Sequence, residues 1–158
     1  MNNPTAAMIV IGDEILSGRT RDSNMHYLAK ELVKIGIGLQ EVRIVSDVEN
    51  KIIFAVNELK KKFNYVFTSG GIGPTHDDIT AQSISKAFGV KYEFHKEAYK
   101  ILETYYGTVK FNDGRKKMAK MPRGSKLIYN PSSAAPGFLI KNVLFSDFKK
   151  SMWIIFFL

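Results

Sequence analysis

The stretch from Ser69 to Thr80 reads Ser-Gly-Gly-Ile-Gly-Pro-Thr-His-Asp-Asp-Ile-Thr, and it constrains the fold more than any other part of the chain. The apolar run Tyr65-Val66-Phe67 precedes it, and Ala81, Ile84, Ala87 and Phe88 follow at helical spacing. Such a segment reads as strand, glycine loop, helix. The turn aims backbone N–H groups and a helix N-terminus at one point, which suits an anionic oxygen and phosphate above all. Asp77 and Asp78 lie at the far end of the same loop. Carboxylates beside a phosphate cradle repel it unless a divalent cation lies between them or a proton is moved. The loop therefore points to a phosphate-bearing ligand and a metal together.

The rest of the chain repeats the theme. Ala6 to Ile11 is a continuous apolar run, as expected of a strand buried on both faces. Gly12 to Gly18 follows as a loop carrying Asp13 and Glu14. A helix is predicted from about Asp22, with Met25, Leu28, Leu32 and Ile35 on one face and Asp22 or Ser23 as its cap. Leu39 to Val45 reads as a second strand, and Ile52, Val56, Leu59 and Phe63 mark the next helix. After the glycine loop, Gly89 ends a helix, Lys91 to Phe94 is a short edge strand, and a further helix runs from about Lys96 to Tyr106. A polar stretch to Lys120 includes a short helix with Arg115 and Met118, and Leu127-Ile128-Tyr129 pairs with Phe138-Leu139-Ile140 as a hairpin. Repeated strand–helix–strand units imply a mostly parallel sheet with helices on both faces, and ligands on such sheets bind at the carboxyl ends of strands. Three acid-bearing loops leave such ends, Gly12–Gly18, Ser46–Glu49 and Gly70–Asp78, so they are expected to converge on one cleft.

Composition narrows the function classes. A chain of 158 residues suits one domain with a real core. The absence of cysteine excludes disulfides and thiolate metal sites. No basic region followed by a long apolar segment opens the chain, so a cytoplasmic location is expected. The longest apolar run, Met152 to Leu158, is far below the ~20 residues that cross a bilayer. The net charge of +8 comes from lysines scattered or grouped on helix faces, such as Lys60-Lys61-Lys62. Solvated faces account for these, and no nucleic-acid-binding signature accompanies them. The charge favours a small anionic ligand over specific nucleic acid or membrane.

The individual residues have competing readings. Gly70, Gly71 and Gly73 permit close backbone approach and positive φ, and Pro74 fixes the loop exit, yet a sharp strand–helix connection uses the same residues. The string is neither a P-loop nor the dinucleotide fingerprint. Thr75, Asp77, Asp78 and Thr80 add more oxygen groups than a turn requires. Asp78 can instead cap the following helix, as can Asp47, each cap contributing ~1 kcal/mol. Asp77 has no such structural excuse. His76 is a metal ligand or base, or an idle loop histidine. Asp13 and Glu14 hold a ribose hydroxyl or a metal, or cap their own loop. Ser132 and Ser133, before Ala134-Ala135-Pro136-Gly137, wrap a ligand or turn the hairpin. His26 and His95 are expected to be structural.

Several ordered motifs resemble one family. They are Ile11 to Gly18, Asp22-x-Asn24, Val45-Ser46-Asp47, Gly70 to Thr80, and Asn130-Pro131-Ser132-Ser133-Ala134-Ala135-Pro136-Gly137. Together they resemble the MoaB/Mog-type molybdopterin-binding domain, and more closely the amino-terminal domain of competence/damage-inducible protein A (CinA-type), over about Ala6 to Val143. The resemblance implies a three-layer α/β/α fold, in an oligomer of identical chains. It implies molybdopterin or an adenylated nucleotide as ligand, and Mg²⁺ or another divalent cation. The activity it implies is hydrolysis of ADP-ribose-type pyrophosphates or adenylyl transfer to molybdopterin, with a non-catalytic phosphate-binding module as the alternative. By matching position, Asp47 and Asp78 are the catalytic acids and, with Asp77, the metal ligands. Gly12, Asp13, Glu14, Ser17, Gly70, Gly71, Gly73, Pro74, Thr75, Ser132 and Ser133 form the expected ligand-binding set. After Val143 the family's apolar strand and Gly-Val-Pro turn are replaced by Leu144 to Ser151 and the apolar tail. The expected division is thus 1–143 as the domain and 144–158 as an atypical tail, with the last element of the fold incomplete. The amidase domain of many CinA-type proteins has no counterpart here, so pyridine-nucleotide deamidation is not expected.

Overall fold

The computed structural model describes residues 2–148. The apolar tail from Met152 lies outside the described residues. The element order is β1 (Thr5–Ile11), α1 (Asp13–Leu16), α2 (Asn24–Lys34), β2 (Gly38–Val45), α3 (Glu49–Lys62), β3 (Tyr65–Ser69) and α4 (Thr80–Phe88). Then follow β4 (Tyr92–Phe94), α5 (Lys96–Lys110), α6 (Asp113–Lys117), β5 (Lys120–Pro122), β6 (Lys126–Ile128), β7 (Gly137–Ile140) and β8 (Val143–Phe145).

The main sheet runs β2-β1-β3-β8-β7-β6. The pairs β1/β2, β1/β3 and β3/β8 are parallel, while β8/β7 and β7/β6 are antiparallel. β1 explains the layering. Its alternate residues Ala7, Ile9 and Ile11 pack with Ile52, Val56 and Leu59 of α3, Ile84 of α4 and Leu102 of α5. Ala6, Met8 and Val10 point the other way, to Leu28 and Leu32 of α2, with Phe67, Leu144 and Phe148. A strand dressed by helices on both faces must be apolar at every position, which is what its unbroken run encodes. Burying each large side chain contributes roughly 1.5–3 kcal/mol. The result is the expected three-layer α/β/α fold with a mostly parallel sheet.

Long-range polar bonds pin the layers. Asn142 Nδ2 donates to the Lys60 and Phe63 carbonyls at 2.9 and 3.0 Å, closing the end of α3. Lys60 Nζ donates to the Ala87 carbonyl at 2.8 Å and lies 4.2 Å from the Phe88 ring centroid, tying α3 to α4. On the outer edge, Arg43 of β2 pairs with Glu58 of α3 and with Glu41.

Several local expectations change. The acidic Gly12–Gly18 segment contains the helical turn α1. The cap of α2 comes from Asp22, whose carboxylate accepts from the Asn24 and Met25 N–H groups, while Ser23 occupies the cap position without a side-chain bond. Tyr92–Phe94 is not an edge of the main sheet but pairs with Lys120–Pro122 in a separate antiparallel ribbon. A three-residue strand carries too little period to show in sequence which partner it takes. α5 continues past Tyr106 to Lys110 through a kink at Gly107. The expected division at 143 falls inside β8, whose Leu144 and Phe145 are buried in the core. Ser146 and Phe148 are buried as well.

Candidate functional site

β2, β1 and β3 are parallel neighbours, so the three loops after them emerge side by side. They enclose a cavity of about 490 Å³ lined by Asp13, Glu14, Arg19, Asp47, Gly71, His76, Asp77, Asp78 and Ile79. Asp47 and Asp78 therefore face one space, as the convergence of the loops predicts.

Neither acid caps the helix that follows it. The cap positions of α3 and α4 are Val48 and Ile79, with no side-chain cap bond at either. Asp47 Oδ2 accepts the Asp13 N–H at 2.9 Å, and the Asp47 N–H donates to Asp13 Oδ1 at 3.3 Å. This reciprocal exchange locks the first loop to the second. Asp78 folds back over its own loop, where Oδ2 accepts the Thr75 N–H at 2.9 Å and the Thr75 hydroxyl at 2.7 Å. Asp13, Asp47 and Asp78 thus each spend one carboxylate oxygen on the protein. The second oxygen of each meets no protein donor among the described residues. Burial pushes the Asp47 carboxyl above its ordinary value, and the charges of Asp13, Glu14 and Asp78 push the same way against the opposing Asp13 N–H bond.

The glycines serve close approach. Gly70 has φ 92°, and a Cβ there would collide with the Ile11 carbonyl, so strands β1 and β3 end at this separation only with glycine. A Cβ on Gly73 would meet the Asp78 carboxylate, which needs that space to reach Thr75. The Thr80 hydroxyl closes the turn by donating to the Gly70 carbonyl at 2.8 Å. Behind the loop, a cavity of about 30 Å³ is lined by Gly71, Gly73, Asp78, Tyr92, Lys117 and Phe138 among others. Burial pushes the Tyr92 phenol up to about 12, so it remains a neutral hydroxyl there.

Other expected residues are placed differently. Gly12, Ser17, Gly70, Gly73, Pro74 and Thr75 support the loops but do not line the acidic cavity. The Gly12 N–H donates to the Val45 carbonyl at 3.0 Å, and the Ser17 hydroxyl donates to the Glu14 carbonyl at 3.3 Å. Ser132 and Ser133 do not line the cavity and belong to the hairpin turn. The Ser132 N–H donates to Asn130 Oδ1 at 3.0 Å, and Asn130 Nδ2 donates to Ser133 Oγ at 2.9 Å. Asp77 is 78% exposed and pairs at 3.1 Å with His76, itself 93% exposed, so water screens that contact. Asp47, Asp77 and Asp78 do not form a ready metal cage. Among the described residues no group of three or more His, Cys, Asp or Glu is gathered to hold a metal ion. His95 caps α5 by accepting the Ala98 N–H at 3.3 Å.

Two cations escaped the sequence reading. Arg19 lines the acidic cavity. Its place beside Gly18 in the first acidic loop was the available signal. Lys117 of α6 donates to the Thr75 and Asp78 carbonyls at 2.7 and 2.9 Å. Nothing in its sequence context marks it out from the other lysines. No helix among the described residues is long and apolar enough to cross a membrane.

Comparisons with known proteins fit this geometry. A family described as "Probable molybdopterin binding domain" matches residues 7–157. A CinA-like protein of Sulfurihydrogenibium sp. is 36% identical over 149 residues, covering 93% of this chain and 36% of that protein. A relative from Archaeoglobus fulgidus is 35% identical over 136 residues, 86% of this chain and 58% of its own length. The chain spans about half the length of several curated relatives it matches. Among solved structures, CinA from Thermoplasma acidophilum, described as of unknown function, superposes with a TM-score of 0.89 at 29% identity, covering 98% of this chain and 95% of that one. The tungsten cofactor synthesizing protein MoaB from Pyrococcus furiosus shares the fold at a TM-score of 0.58 and 18% identity, over 99% of this chain and 91% of that one.

Proposed function

Given that this chain belongs to the molybdopterin-binding domain family of MoaB, Mog and CinA-type proteins, we propose that it cleaves a nucleotide phosphoanhydride of the ADP-ribose type in the acidic cavity. The observation that carries the reading is the meeting of Asp13, Asp47 and Asp78, each with an open oxygen, beside a turn of free backbone donors. A surplus of carboxylates at a phosphate turn is stable with ligand only when positive charge arrives with it. Mg²⁺ generally binds through one or two carboxylates plus substrate phosphates rather than in an all-protein cage. The chemistry of the donor set fits that mode, and Asp47 and Asp78 would hold the ion. When bound, it supplies charge neutralisation at the phosphate oxygens.

The chain's own residues do the rest. Loop N–H groups donate to the non-bridging oxygens and stabilise the charge that builds there, each such donor being worth ~3 kcal/mol of barrier. Arg19 offers a guanidinium to the anion at the cavity wall. Water adds to one phosphorus and its proton passes to an open carboxylate oxygen. The P–O bond to the bridging oxygen breaks, leaving AMP and ribose 5-phosphate.

The test is turnover of ADP-ribose, FAD, and ATP with molybdopterin, each with Mg²⁺, by wild type and Asp78→Asn. ADP-ribose or FAD cleavage is expected, with a loss of about 10²–10³-fold in the variant. No turnover above the variant on any substrate removes the reading. A non-catalytic module that holds a pterin or nucleotide phosphate is the second reading, favoured by the lack of a preformed metal cage among the described residues. Calorimetric binding without product supports that alternative.

A further inference from the structure

We propose that Lys117 is the positioning residue of this site: from a separate helix it presets the glycine loop so that the His76 and Ile79 N–H groups stand ready for the oxygens of a phosphoanhydride. The inference rests on the functional reading above. Lys117 reaches 42 and 39 residues back along the chain to bind the Thr75 and Asp78 carbonyls. In a planar trans peptide the C=O and the following N–H point to opposite sides. Holding these carbonyls turns the His76 and Ile79 N–H groups away from the ammonium. His76 and Ile79 line the acidic cavity, and neither N–H meets a protein acceptor among the described residues. They are among the free donors that the functional reading requires.

The bracket that carries Lys117 is itself fixed. A Cβ on Gly114 would stand 2.7 Å from the Pro74 carbonyl, so only glycine lets α6 press this closely on the loop. Asn112 caps α6 by accepting the Arg115 N–H at 3.0 Å. The Arg115 guanidinium lies 4.4 Å from the Tyr106 ring centroid and donates to the Lys110 carbonyl at 2.5 Å, bracing α6 against α5. A lysine serving only solubility keeps its ammonium in water. This one is partly buried and commits two of its three N–H groups to backbone carbonyls, bonds strengthened by its charge.

The experiment compares wild type, Lys117→Met and Lys117→Arg as full chains. It measures kcat and KM for ADP-ribose with Mg²⁺, hydrogen exchange of the bonded Thr75 and Asp78 amides without ligand, and the melting temperature. Lys117→Met should lower kcat/KM by about 10²-fold and speed exchange in the loop while β1 and α3 stay protected. Lys117→Arg, with its charge and donors kept, should recover most of the loss. If Lys117→Met does not fold, Lys117→Gln takes its place and should show the same kinetic loss. Unchanged kinetics, or equal losses in Met and Arg variants, overturns the proposal. So does a kinetic loss accompanied by loosening throughout the sheet. An inactive wild type refutes the hydrolase reading and this inference with it. An active wild type beside an indifferent Lys117→Met refutes this inference alone.

Discussion

The loops Gly70–Thr80 and Asn130–Gly137 look alike in sequence, both mixing glycine, proline and hydroxyl residues between apolar runs, yet the fold uses them in opposite ways. In the second loop the Asn130 amide is spent on the loop itself. Asn130, 2% exposed, receives the Ser132 N–H and donates to Ser133. In the first, Lys117 reaches in from a separate helix to the Thr75 and Asp78 carbonyls, beside bonds the loop makes to itself, and Asp78 leaves an oxygen open to the cavity. A loop that satisfies itself is a turn. A loop whose acceptors are held by a distant element can keep its donors for a ligand.

Three substitutions break or sharpen this contrast. Gly70→Ala should have the largest effect, because it forces a side chain into the Ile11 carbonyl at a backbone angle that disfavours it. A loss of about 3 kcal/mol or more is expected in chemical denaturation. A variant as stable as wild type means the two strand ends are not held at their present separation. Asn130→Ala removes two part-buried bonds and should cost roughly 1–3 kcal/mol, with the KM for ADP-ribose unchanged. A raised KM instead returns Ser132 and Ser133 to the ligand site and erases the contrast.

Asp47→Asn tests the acidic wall through pH. The folded chain holds the Asp47 proton more tightly than the unfolded chain does, mainly because of burial. Its ionised form therefore weakens the fold. That cost is absent below the unfolded carboxylate pKa of about 4 and grows as pH rises through the raised folded value. Asparagine can still accept the Asp13 N–H without the charge. The variant should melt slightly above wild type at pH 7, and this advantage should vanish near pH 3.5. An equal difference at both pH values shows that charge is not the cause.

The local chemistry of the chain was legible. The unbroken apolar run of β1, the helical spacing of Ile52, Val56 and Leu59, and the position of acids after each strand follow from side-chain period and turn preference. Together these foretell three acidic loops at one end of a parallel sheet, because the crossover rule leaves few other arrangements. The family motifs supplied Asp47 and Asp78.

The tertiary structure alone decided which polar atoms are spent and which stay open. Asp47 could as well have capped α3, and Asp78 α4, since both stand where caps stand in sequence. Packing gave Asp47 the Asp13 N–H from 34 residues away instead, while Asp78 turned back on Thr75 in its own loop. Ser132 and Ser133 stand in the right motif, yet Asn130 binds the Ser132 N–H and the Ser133 hydroxyl oxygen to shape the turn. Lys117 is one lysine among many until α6 is laid against Pro74. Periodicity is set by neighbours along the chain and survives in any reading of it. A hydrogen bond across 40 or so residues exists only once the core has brought its partners together, so it leaves no local trace.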